Sequence, residues 1–274
     1  MKLKKVYSFV NNKGGVGKTT SVLNVAAGII QRDPKAKVLC IDLDAQCNLS
    51  DQMGWEQKKL EYTEQEINNN LATALGLGLQ GSLSVYKKKE GLYYVPACPQ
   101  LESIEPVLNS LMKPRQMLGL LFGNPVKDMT GDGLTLIQDS FDYVLIDCAP
   151  SLSVLTINAL DASDYVVTPI FYDPLSIKGL ARIMNAVKEV NAYLNPDLRI
   201  KGILPVKCND RTTLAKNLIG ILEEKYGDLL MKSRVRDCIR VKESQAFNMD
   251  IFEYAPDCTA AQDYMKVVEE LIEE

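Results

Sequence analysis

The 274-residue chain contains no histidine. That absence removes the usual general base near neutral pH, the commonest metal ligand and every Ser-His or Cys-His nucleophile arrangement. Any chemistry therefore falls to carboxylates, lysines, hydroxyls and bound ions. Cysteine is present but unpatterned: Cys40, Cys47, Cys98, Cys148, Cys208, Cys238 and Cys258 are odd in number, scattered, and form no C-x-x-C pair. Neither a disulfide framework nor a zinc ribbon is indicated, and buried thiols are the expectation. Nor is there an apolar run of signal-peptide or membrane-span length; "MKLKKVYSFVNN" passes from a short basic start straight into a strand-like stretch. A cytoplasmic protein without a membrane partner is expected. Internal repeats and low-complexity linkers are missing as well.

What is present is ordinary for a globular chain, with 46% hydrophobic and 24% charged residues. This length can bury a sizeable core, and a single domain over residues 1–274 is expected. Apolar β-branched runs at 5–10, 37–42, 92–97, 143–148, 164–170 and 200–206 alternate with helical patterns at about 19–31, 101–121, 153–161, 176–193, 212–226 and 258–273. Several of the strands are apolar on both faces, which suits a parallel sheet covered by helices on each side. The fold class is therefore α/β, a doubly wound and mostly parallel sheet whose ligands sit at the carboxyl ends of the strands. Residues 76–91, with glycines and "KKK", read as a surface excursion.

"NNKGGVGKTT" (11–20) follows the first strand and opens a helix, the context of a phosphate-binding loop. Gly14, Gly15 and Gly17 let successive backbone N–H groups turn inward around phosphate oxygens, and the helix N-terminus adds partial positive charge. Lys18 can reach β- and γ-phosphates, the Thr19 hydroxyl can ligate Mg²⁺, and Val16 and Thr20 complete the stretch. The strict P-loop pattern fails only at Asn12, where its first glycine would stand.

With its additional lysine, "KGGVGKTT" resembles the deviant Walker A loop of the ParA/MinD class of P-loop ATPases. The resemblance continues through "IDLDAQCNLS" (41–50), "FDYVLIDCAPSLSVLTINAL" (141–160), the "RT" at 211–212 and "FEYAPDCTAAQDY" (252–264), and it covers nearly the whole chain. It is strongest to ParA-type DNA-partition ATPases without an N-terminal DNA-binding extension. The resemblance implies ATP and Mg²⁺ as ligands, a homodimer formed on ATP binding, and a Lys13 that crosses the interface to the partner's nucleotide. It also implies that Asp44 orients the attacking water and that Asp42 supports Mg²⁺ through its waters. Asp147, which ends an apolar strand in the Walker B manner, can hold the metal's water shell. "PVKCND" (205–210) occupies the stretch of the adenine contacts, so Lys207 and Asn209 are candidates there, although a solvated turn reads equally well.

An overall charge of −4 argues against a constitutively basic nucleic-acid protein. "KSRVRDCIRVK" (232–242) nevertheless concentrates Lys232, Arg234, Arg236, Arg240 and Lys242 against one acid. In ParA-like proteins this region, with the arginine of the "RT" motif (Arg211), contributes to sequence-independent DNA binding by the ATP dimer. The resemblance further implies a ParB-like centromere-binding partner that stimulates hydrolysis, and nucleoid association in the ATP state. A MinD-like membrane-placement ATPase is the main alternative, disfavoured by the acidic tail "YMKVVEELIEE". An iron-sulfur or ligase-type relative on the same scaffold is a further one.

Overall fold

The computed structural model describes residues 5–208 and 213–273. Eight strands form one sheet: β1 (Lys5–Phe9), β2 (Val38–Leu43), β3 (Ser84–Lys89), β4 (Leu92–Val95), β5 (Lys127–Asp128), β6 (Tyr143–Cys148), β7 (Tyr165–Ile170) and β8 (Arg199–Pro205). Their order is β5-β3-β4-β2-β6-β1-β7-β8, and every neighbouring pair is parallel except the β3/β4 hairpin. The doubly wound expectation holds.

Alternation along the strands supplies both faces. Leu39, Ile41 and Leu43 of β2 enter one core cluster, while Val38 and Cys40 enter the other. The second cluster is closed by α1 (Lys18–Arg32) and, at the chain's end, by a helix over Thr259–Ile272. The remaining helices used below are α2 (Asn48–Gln52), α3 (Val154–Asp161), α4 (Pro174–Tyr193), α5 (Thr213–Tyr226), α6 (Ile239–Ala246) and α7 (Ile251–Tyr254), so the Thr259–Ile272 helix is α8. Gly28 is where α1 meets this layer most closely: a Cβ there would lie 2.8 Å from Val268 of α8.

Three expectations change. Residues 76–91 are not a mere excursion, because Ser84–Lys89 pairs with β4 and buries Val85 and Tyr86. Its three lysines are drawn to acids and a carbonyl elsewhere: Lys87 to Glu90 and Asp132, Lys88 Nζ to the Asn248 carbonyl at 2.9 Å, and Lys89 to Asp250 and Glu253. The 101–121 helix is instead three short pieces, a 3₁₀ turn at Pro99–Ser103 and helices at Glu105–Asn109 and Met117–Leu121. Pro114 stands between the last two, where its missing N–H and ring oppose a continuous helix. Between β2 and β3 the chain forms α2 and further short helices that have no counterpart in the sequence reading.

Candidate nucleotide site

The parallel pairing brings the site together. Asp147 on β6 stands in register with Asp42 on β2 and with Phe9 on β1, so two carboxylates and the start of the glycine loop share one end of the sheet. Beyond β1, Asn11 shapes the loop: its amide donates to the Pro169 carbonyl at 2.7 Å, and its side-chain oxygen accepts from the Lys13 N–H at 2.9 Å. Gly15 (φ 72°) and Gly17 (φ 80°) adopt the left-handed conformation that L side chains resist. Space for a Cβ at Gly14 and Gly15 is open, so at these positions the loop faces room rather than protein. Val16 anchors the loop as a fully buried side chain. α1 begins at Lys18 with no side-chain cap, leaving its first N–H groups directed at that space.

A cavity of about 640 Å³ lies over the loop, lined by Gly14, Gly15, Gly17, Lys18, Thr19 and Thr20, with Asp44 among its other walls. Lys18 is buried, and its Nζ donates to the carbonyls of Asn11 (3.1 Å) and Lys13 (3.3 Å). Burial lowers its pKa, against the opposing pull of Asp147 and Asp44. The Thr19 hydroxyl donates to Asp147 Oδ2 at 2.6 Å. Asp147 Oδ1 is buried and finds no protein partner. Burial and the nearby Asp42 carboxylate raise the Asp147 pKa well above the ordinary carboxylate value.

Asp42 is the second strained charge. Burial pushes its carboxyl up to about 6 even though Ser50 donates from both N–H (2.9 Å) and hydroxyl (2.7 Å), and the Asp44 N–H donates at 3.1 Å. Its oxygens thus hold α2 and the 44–50 turn in place as well as facing Asp147. Asp44 is half-buried in that turn, accepting from the Gln46 N–H at 3.0 Å. Ser50 also donates nothing to chance on its far side: its hydroxyl oxygen accepts the Ala97 N–H at 2.8 Å.

Lys13 leaves the cavity. Its Nζ pairs with Asp173 Oδ2 at 2.9 Å and lies 5.7 Å from the Phe171 ring centroid, with the lysine side chain 39% exposed. Lys207, in a left-handed backbone (φ 51°), lines the cavity, reaches the Gly15 carbonyl at 3.5 Å and also lies 4.9 Å from the Phe171 ring centroid. Asn209 and Arg211 lie outside the described residues.

Ion pairs engage part of the basic run at 232–242. Arg236 is chelated by Asp263, with Nε at 2.8 Å and Nη2 at 2.7 Å from its oxygens, and stands with Lys242 in the cavity wall. Arg240 pairs with Glu243 at 2.8 Å. Lys232 and Arg234 are exposed. Charge spacing along the chain carried no sign of these pairings, because Asp263 lies far along the chain on α8. Sequence reasoning also missed Asp173, Ser50 and Gln245, whose amide donates to Thr20 Oγ1 at 2.7 Å. None of the three sits in a recognisable pattern. The cysteines divide too, with Cys40, Cys98, Cys148 and Cys208 buried but Cys47, Cys238 and Cys258 only partly so.

The chain resembles known proteins in sequence and in fold. A family model described as an AAA domain matches residues 4–200. The chain is 30% identical over 267 residues to the sporulation initiation inhibitor protein Soj of Bacillus subtilis, covering 97% of this chain and 98% of that one. The chain belongs to the ParA/Soj family of P-loop ATPases. A second ParA/Soj relative, the chromosome partitioning protein ParA of Caulobacter vibrioides, is 28% identical over 270 residues, with 98% of this chain and 94% of that one covered. Among solved structures, a putative plasmid partition protein from Borrelia burgdorferi bound to AMPPNP superposes with a TM-score of 0.75 at 22% identity, covering 98% and 97% of the two chains. That likeness is one of fold. No helix among the described residues is long and apolar enough to cross a membrane.

Proposed function

We propose that the protein is an ATP-hydrolysing partition switch that dimerises on binding ATP and Mg²⁺, holds DNA without sequence preference in that state, and returns to monomer on hydrolysis. The observation that carries this reading is Lys13, a loop lysine turned out of its own cavity and held at the surface by Asp173. A cation so placed has no γ-phosphate of its own subunit to meet; across a two-fold interface it has one.

The donor set fits the metal: the Thr19 hydroxyl and the unpartnered Asp147 Oδ1 are hard oxygens, and two buried carboxylates in register call for a cation between them. Mg²⁺ bound there would offset charge on the β- and γ-phosphates. Lys18, released from the Asn11 and Lys13 carbonyls, binds the phosphates from inside the loop, and the Gly14–Thr20 amides cradle them. Asp44, on the turn that Asp42 and Ser50 hold, aligns the attacking water. Lys207 flanks the base, and the partner subunit's copy of the loop lysine neutralises the transferring group. Such a site is positioning and electrostatics throughout and needs no histidine. Lys232, Arg234 and Arg240 with Arg211 form the DNA-facing set, two copies of which meet phosphates only in the dimer. A centromere-binding partner of ParB type then triggers hydrolysis. The Caulobacter relative's partitioning role supports this assignment.

Sizing with a slowly hydrolysed ATP analogue tests it. Lys13→Ala should bind nucleotide as a monomer yet fail to dimerise and turn over, whereas Lys18→Ala should lose binding itself. A Lys13→Ala protein that dimerises and hydrolyses normally overturns the proposal.

A further inference from the structure

Two cavity-lining groups on α6, Lys242 and Gln245, have no part in the scheme above. They lie one turn apart on the helix and so share a face. Lys242 has no acidic partner among the described residues, whereas Arg236 and Arg240 are each paired. The Gln245 amide donates to Thr20 Oγ1, in the first turn of α1, at 2.7 Å. Asn24 ties the same segments a second time, donating to the Thr20 carbonyl at 2.8 Å and accepting the Ile251 N–H, at the start of α7, at 2.7 Å. Between α6 and α7, the Asn248 carbonyl accepts from Lys88 of β3 at 2.9 Å. α6 is thus fixed against the loop helix before any ligand enters. We propose that α6 is a second phosphate-holding wall of the cavity, in which Gln245 positions the Thr20 hydroxyl toward the α-phosphate and Lys242 meets the nucleotide's charge directly.

The direction of the Gln245 bond decides what Thr20 can do. A threonine hydroxyl has one hydrogen to give. Because Thr20 Oγ1 accepts from Gln245, that hydrogen remains for an acceptor in the cavity, whose wall Thr20 forms as a half-buried residue. Without Gln245 the hydroxyl can turn back to a carbonyl of its own helix. Its neighbours are already committed: Lys18 Nζ lies within the loop, and the Thr19 hydroxyl meets Asp147. In a phosphate loop such a lysine serves the β- and γ-phosphates and the hydroxyl after it serves the metal, which leaves Thr20 to the α-phosphate. A hydroxyl held toward a phosphate oxygen makes a charge-assisted bond. Lys242 adds a cation to the same wall, a compact charge suited to phosphate. This inference rests on the nucleotide-binding reading, which analogue binding to the unaltered protein tests by itself.

Calorimetry on the full chain with Mg²⁺, using ADP and then AMPPNP, tests it. Gln245→Met keeps the length and loses the donor, so it should weaken ADP about 2- to 10-fold, the contribution of one neutral hydrogen bond. AMPPNP should weaken by the same factor, because both carry the α-phosphate. Gln245→Glu, which takes the Thr20 hydrogen and sets a negative charge beside the phosphates, should weaken both further. In a Thr20→Val background Gln245→Met should cost nothing more. Lys242→Met should weaken ADP about tenfold and, with AMPPNP saturating, leave the salt slope of DNA retention unchanged. A wild type that binds neither nucleotide overturns the nucleotide reading and this inference with it. Where the wild type binds, a Gln245→Met protein with unchanged ADP affinity, whatever its melting temperature, or an equal loss in the Thr20→Val background, overturns the positioning role. Unchanged ADP affinity in Lys242→Met removes that lysine from the wall, and a shallower salt slope assigns it to DNA.

Discussion

Replacing Asp173 with asparagine should tighten ATP-dependent self-association. In the monomer Asp173 holds Lys13 through a 2.9 Å ion pair between side chains 27% and 39% exposed. A pair that open to solvent contributes roughly 0.5–1 kcal/mol after screening and side-chain entropy. A Lys13 that works across the interface gives up this pair in both protomers, so the two together oppose dimerisation by roughly 1–2 kcal/mol, or about 5–30-fold in the dimer dissociation constant. Asparagine is the substitution of choice because Asp173 also accepts the Ser176 N–H at 3.0 Å near the start of α4. Asparagine caps about as well as aspartate, so the fold should be little affected. Sedimentation with a slowly hydrolysed analogue at two salt concentrations measures the effect, and the gap between variant and wild type should narrow as salt rises. Burial pushes the Asp173 pKa up, but Ser176 and Lys13 outweigh it and hold it below the ordinary carboxylate value. The pair is therefore intact at neutral pH and lost only as pH falls through that depressed value, so the two proteins should converge only in acid. Unchanged or weaker dimerisation in Asp173→Asn, with melting temperature preserved, would refute the reasoning.

Asp44→Ala should accumulate as a long-lived ATP dimer, since Lys13, Lys18, Thr19 and Asp147 remain; rapid return to monomer with undiminished phosphate release would remove Asp44 from the water-positioning role. Asp42 has a folded-state carboxyl pushed up to about 6, so its buried charge costs stability above that pH and the cost fades as pH drops toward the unfolded value. Melting curves of the nucleotide-free protein should show wild type gaining on Asp42→Asn by about 1.4 kcal/mol between pH 7.5 and 5, and a pH-independent difference would contradict the shift. Arg240→Ala and Lys232→Ala should each lower the log–log salt slope of DNA retention by roughly 0.9 per phosphate contact and subunit, equally on unrelated duplexes. Arg236→Ala should instead lower the melting temperature, because it strands the buried Asp263, and should leave that slope unchanged. A slope that falls in Arg236→Ala would return it to the DNA-facing set.

The phosphate loop was legible in the sequence because its physics is local. Gly15 and Gly17 are needed for their own backbone dihedrals, Lys18 and Thr19 fall on the first turn of the helix that follows, and Asp147 ends an apolar strand that could only be central. Two-sided apolar strands likewise announced a covered parallel sheet. Tertiary structure decided what depends on elements distant in the chain. Lys13 and Asp173 are 160 residues apart, and only β7, adjacent to β1, brings them within reach. The lysines of β3 read as solvent-facing until Asp132, Asp250 and Glu253 are set beside them. Charge counts along the basic run carry no partners: Asp263 of α8 pairs with Arg236, which stays exposed, while Glu243 of α6 pairs with Arg240. Sequence determined the chemistry available at each position, and packing between remote segments determined which of those groups meet.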